Sequence, residues 1–175
     1  MLYAITFAFS LVVSSLIGQG IHWALHQAWT GRANRGHMQH HLELYPPEDL
    51  TSAKYRKANW QNTGTFLFAI PFLLIVATMS GLAWLMGVSQ WFVVFLALGL
   101  GIFGLFNDAM HDSFHLKPCW LSRFAWYREM QRLHFTHHVN MQSNFGIVVF
   151  VWDKLFGTFS DEKSKTATGK FGQFH

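Results

Sequence analysis

Ten of the eleven histidines in this chain fall into four short clusters. His22 and His26 stand four apart, and so do His111 and His115. His37, His40 and His41 form a three-then-one cluster, repeated at His134, His137 and His138. Only His175 stands outside them. Residues three and four apart share a helix face, with Cβ atoms about 5–6 Å apart, so each cluster aims its imidazoles into one small volume. Imidazole is a ligand for zinc, copper, iron and nickel. A structural zinc site takes four ligands, whereas ten imidazoles suit two metals with roughly five nitrogens each, or fewer with open positions. Carboxylates nearby would offset the metal charge and orient the rings. Asp108, one turn before His111, and Asp112, beside it, are candidates, with Glu129 and Asp153 as further ones. The plainer alternative for Asp108 is a helix cap or an ion pair with Arg128. Asn107, Asn140 and Asn144 are polar groups that can donate or accept near the site. One HxxxH pair alone reads as ordinary surface histidines; two pairs with two HxxHH clusters do not.

The elements that must position these groups look membranous. Half of the 175 residues are hydrophobic, and charged residues make up only 13%, about half the share usual in a soluble domain. The net charge of +4 does not point to nucleic acid, because the basic residues flank apolar runs rather than forming a stripe of their own. A lone Cys119 excludes an intramolecular disulfide and a multi-cysteine metal site.

Apolar runs at 2–20, 65–86 and 91–106 predict three transmembrane helices, the first with the ~20 residues a bilayer requires. Residues 1–21 lack a basic start and an A-x-A cleavage site, so the first run is expected to remain as a helix. Small residues recur in it at Thr6, Ser10, Ser14 and Gly18, a spacing that lets a second helix approach closely. The turn at 87–90 is short enough to make the second and third runs a hairpin. Trp84 and Trp91 flank it as interfacial aromatics do. All thirteen Lys and Arg lie in 32–57 and 117–170. The positive-inside tendency then puts the N-terminus outside and all four histidine clusters on the cytoplasmic face. Residues 120–140 mix aromatics with Arg123, Arg128 and Arg132 and predict one helix along the membrane surface. Residues 145–159 are apolar but too short to span, and are expected to pack under the site. Residues 160–175 read as a polar tail after one membrane domain, 1–159.

The order HxxxH, HxxHH, HxxxH, HxxHH resembles the fatty acid hydroxylase/sterol desaturase superfamily of integral-membrane di-metal oxygenases. Asp108 before His111 looks like that family's D-x-x-H stretch. Asn144-Phe145-Gly146 follows the last cluster at a similar interval, and Trp152 to Thr158 looks like its W-D-x-x-F-x-T segment. The likeness covers residues 22–158. It implies an all-α integral membrane enzyme that uses O₂ to hydroxylate or desaturate a lipid: a sterol, a fatty acyl chain or a related molecule. It further implies two iron ions, or zinc in their place, held by His22, His26, His37, His40, His41, His111, His115, His134, His137 and His138. Asp108, Asp112 and Asn144 are then the candidate catalytic residues outside the ligand set. No flavin, haem or iron–sulfur motif is present, so electrons are expected from an external cytochrome b5-type or ferredoxin-type donor. Larger members are four-span proteins, some with a fused cytochrome b5 domain, neither of which is read here. The short interval between His26 and His37 is similar to the bacterial carotenoid ring hydroxylases of the same superfamily, while WDKLFGT and HDSFH look more like its sterol and fatty acid side. Against these stands a different class, a haem-carrying or non-catalytic membrane electron carrier. Clustered histidines at membrane ends fit that class poorly, and spans without ionisable residues fit a transporter poorly.

Overall fold

The chain lacks charged side chains for its first thirty-one residues, and most of that run folds as one long helix, α1, Leu2–Leu25. The structure, a computed structural model, describes residues 2–56 and 64–162, without the side chains of 64–69. After α1 come a short 3₁₀ turn, Ala28–Thr30, then α2, Arg32–Gln39, and a π turn, His40–Leu44. The long helices α3, Gly64–Leu85, and α4, Gln90–Phe114, follow. A 3₁₀ turn at Trp120–Arg123 leads into α5, Ala125–Val139, and α6 is Val151–Phe156. Among the described residues the regular structure is all helical, apart from one backbone bridge of Ser52 to Leu116.

Two helices, α1 and α4, are long and apolar enough to cross a bilayer by length and composition, and Ile70–Leu85 of α3 is a shorter apolar helix. The Ser and Thr hydroxyls of α1 are satisfied internally, as a lipid setting requires. Thr6 donates to the Leu2 carbonyl, Ser10 to Phe7 and Ser15 to Val12. Ser14 instead crosses to the Leu100 carbonyl of α4 at 3.0 Å. The small-residue stripe does face α4: a Cβ on Gly99 would lie 1.7 Å from Ser10 Oγ, and one on Gly18 would lie 3.6 Å from Asn107 Nδ2. Contacts at Ser10, Ser14 and Gly18 meet successively later residues of α4, so the two helices run parallel. Both therefore deliver their C-terminal histidines to the same end.

The reversal between α3 and α4 is set by Gly87 at φ 71°. Its N–H donates to the Trp84 carbonyl, and that of Val88 to Ala83. That bonding closes a helix with a left-handed residue, which glycine takes without steric cost. Exposed aromatics collect at both ends of the bundle: Trp84 and Trp91 at this turn, and Trp23, Trp29, Trp120 and Trp126 at the histidine end.

Several elements differ from their predicted limits. α1 continues past residue 20 to carry His22, and α4 continues past 106 to carry His111. The single helix expected over 120–140 is broken at Phe124, whose backbone is extended at φ −92°, ψ 133°. Only Val151–Phe156 of the apolar 145–159 segment is helical. Most of the expected tail, 163–175, lies outside the described residues, and His175 with it.

Candidate metal centre

The four histidine clusters converge at one end of the bundle, but they do not stay together. Each three-then-one cluster is divided. His22, His26, His37, His41 and His137 form one group, and His40, His111, His115 and His134 a second; within each, one ring nitrogen per residue lies within 4.8 Å of all the others. His40 and His41 are neighbours in the π turn, and side chains one residue apart point roughly 100° apart around a helix. They serve different groups for that reason. The tenth histidine, His138, lies between the groups: its ring is 4.1 Å from His41 and 4.8 Å from both His115 and His134. All ten are buried except His26, which is half-buried.

Backbone carbonyls fix the orientation of four rings. Nδ1–H of His22 donates to Phe145 O at 2.7 Å, His137 to Ser143 O at 2.6 Å, His115 to Leu50 O at 2.8 Å and His138 to Tyr45 O at 2.9 Å. A neutral imidazole has one proton, so each of these rings presents Nε2 as a bare lone pair.

Within each group, ring nitrogens of different histidines face one another. His26 Nε2 lies 3.0 Å from His137 Nε2 and 2.9 Å from His37 Nε2, which in turn lies 3.1 Å from His41 Nε2. In the second group His134 Nε2 and His115 Nε2 are 3.0 Å apart. An imidazole nitrogen carries one in-plane proton or lone pair and serves one hydrogen-bond partner. His26 Nε2 and His37 Nε2 each face two, which protons cannot satisfy. One cation can, because nitrogens about 2.1 Å from a shared ion stand about 3.0–3.4 Å apart at right or tetrahedral angles. Buried Nε2 atoms of His40 and His138 also have no hydrogen-bond partner, a costly state unless an ion occupies the space. The residues present therefore fit a pair of metal ions.

A family model described as fatty acid hydroxylase matches residues 7–158. The chain belongs to the fatty acid hydroxylase family. Neither the search of curated proteins nor that of solved structures found a match.

Electrostatics keep this hydroxylase-family site neutral. Burial first, and repulsion among the rings second, hold His37, His40, His41, His134 and His137 well below the usual 6.5. His115 is also held well below it, by burial first. Burial lowers His26 only to about 4 and His138 to about 3. Neutral rings are the form that binds metal.

The candidate residues outside the histidines occupy varied places. Asp112 Oδ1 lies 3.5 Å from His111 Nδ1. Tyr55 is pushed up by burial and then by Asp112, with Asp108 a smaller influence. Arg128, the alternative partner for Asp108, donates to the Ser122 and Arg123 carbonyls. Glu129 pairs with Arg132 on the exposed face of α5. Asn144 is fully buried at φ 53°, and its amide bonds to the Leu133 and Ser160 backbone. It anchors the loop whose Ser143 and Phe145 carbonyls hold His137 and His22. Those carbonyls, with Tyr45 and Leu50, are functional groups that sequence reasoning missed; a backbone acceptor leaves no mark on residue type.

Proposed function

We propose that this chain is a multi-pass membrane oxidoreductase that uses O₂ to hydroxylate or desaturate a lipid, with two iron ions held by the ten histidines. The observation that carries the reading is the pair of buried nitrogen groups, which protons alone leave unsatisfied, in a member of the fatty acid hydroxylase family. Such a metal pair, when bound, supplies reduction of O₂ and oxidation of an unactivated C–H bond. The chain's own part is to orient and to exclude water. Carbonyls of Phe145, Ser143, Leu50 and Tyr45 lock the tautomers of His22, His137, His115 and His138. Ring nitrogens at 2.9–3.1 Å leave no room for a porphyrin between them, which disfavours the haem carrier.

The reading includes three crossings by α1, α3 and α4, with the histidine end in the cytoplasm. The Lys and Arg lie in the same stretches of sequence as the histidine clusters or beside them, and exposed tryptophans mark both ends as interfacial belts do. Exposed Ile5, Phe9, Val12, Leu98, Ile102 and Leu105 between the belts suit lipid tails. Asp108 and Asp112 stand as residues that orient the second group from outside, and Asn144 as the anchor of the first group's loop. Electrons are assigned to an external protein donor. Sterols, fatty acyl chains and carotenoid rings all fall within the substrate class. The test is comparative lipid analysis of aerated cells with and without the protein, together with elemental analysis of gently purified protein. One oxidised or desaturated lipid and about two iron ions per chain are expected. Stoichiometric haem, or no transition metal, overturns the proposal.

A further inference from the structure

Asp153 is completely buried on α6, and its carboxylate is saturated by donors. Oδ1 accepts from Phe145 N–H at 2.8 Å, from the Thr158 hydroxyl at 2.7 Å and, at 3.4 Å, from the Gln19 amide. Oδ2 accepts from Gly146 N–H at 2.9 Å. The Gly146 N–H and the Phe145 carbonyl belong to one peptide group, and that carbonyl takes the Nδ1–H of His22 at 2.7 Å. A carboxylate on the N–H side of a peptide polarises its carbonyl into a stronger acceptor. Carboxylate, peptide and imidazole thus form a continuous line, with the peptide standing where a direct carboxylate–histidine bond is often found in metal sites.

A second observation bears on the same peptide. A Cβ on residue 146 would lie 2.4 Å from Val149 O and 2.8 Å from Asp153 Oδ2. The carboxylate reaches the peptide because Gly146 has no side chain. Gln19, which completes the donor set, is less than one turn from His22 on α1, so α6, the loop and the helix carrying the ligand are joined at one carboxylate.

We propose that Asp153 is a positioning residue for His22, acting through the 145–146 peptide to aim and strengthen that imidazole toward the first histidine group. The inference rests on the metal-binding reading above. It differs from a merely structural role in being one-sided: the first group depends on Asp153 and the second does not.

The test titrates cobalt(II) alone into the full-length, metal-free protein in detergent, following the visible ligand-field bands. His22→Ala and His134→Ala assign bands to the first and second groups. Asp153→Asn keeps an acceptor oxygen but turns an NH₂ toward one backbone N–H. First-group affinity is expected to fall about 10–100-fold with altered bands, while second-group affinity and bands stay unchanged. Thr158→Val, which keeps the carboxylate and removes one donor, is expected to give a smaller loss at the same group. If Asp153→Asn does not fold, Thr158→Val decides. Wild-type binding of two cobalt ions, with both groups weakened alike or neither weakened, overturns this inference alone. A wild-type chain that binds no cobalt overturns the metal reading and this inference together.

Discussion

The two histidine groups draw on the same π turn and on α5, yet their surroundings differ. The first spans α1, α2, the π turn and α5, and the loop after α5 supplies the carbonyls for His22 and His137. It includes half-buried His26. The second is drawn from the π turn, α4 and α5, and every member is buried. The Leu50 carbonyl closes over His115, and that loop is tied down by Ser52, whose N–H donates to His115 O and whose carbonyl accepts from Lys117 N–H, each at 2.9 Å. One group has an edge near water; the other is sealed. On the proposed metal reading, the contrast predicts that ions and protons exchange through the first group more readily than through the second.

The sharpest way to break the comparison is His138→Ala. This residue lies against both groups, so its loss is expected to empty both, taking metal from about two ions per chain to near none by elemental analysis, with activity abolished. Retention of one ion would assign His138 to a single group. Next in size are His137→Ala and His134→Ala, each expected to lose about one ion, from the first and second groups respectively. Loss of both ions in either variant would mean that the groups are not separable.

Acidification sharpens the comparison further. In the metal-free fold burial holds His26 at about 4, whereas in the unfolded chain it titrates near 6.5. Between those values the unfolded state binds more protons, so stability falls as pH drops from about 6.5 to 4, by roughly 3 kcal/mol from His26 alone, and is unaffected by it above that window. His40, His115 and His134 of the second group, held well below their usual value, protonate later. Metal release on a falling pH ramp is therefore expected from the first group before the second. Simultaneous release would remove the distinction. The smallest effect is expected from Ser14→Ala, which removes the bond to the Leu100 carbonyl. That should lower the thermal midpoint through about 0.5–1.5 kcal/mol of lost stability and leave both ions in place.

Much of this was legible in the sequence. The apolar runs mark α1 and α4, Gly87 lies within the expected turn, and the Ser10–Ser14–Gly18 stripe finds its partner in α4. The helix ends were not, because a backbone helix does not stop where its apolar side chains do: α4 runs on through Asn107 and Asp108 to reach His111. Spacing gathers His37, His40 and His41 on neighbouring faces, but their division between two groups depends on where α1, α4 and α5 stand around the π turn. Asp153 was legible as a carboxylate but not as a hub, since its partners Gln19, Phe145 and Gly146 are brought to it by tertiary packing. The break at Phe124 has no Pro or Gly to announce it.

Under the proposed metal reading, four separate stretches of chain contribute imidazoles to the ions, and a newly synthesised copy lacks that link until metal arrives. On the proposed reading, cellular quality control would meet that copy as an unfinished protein. Its abundance should then track metal supply, and starvation would shorten its lifetime before any change in turnover could be measured.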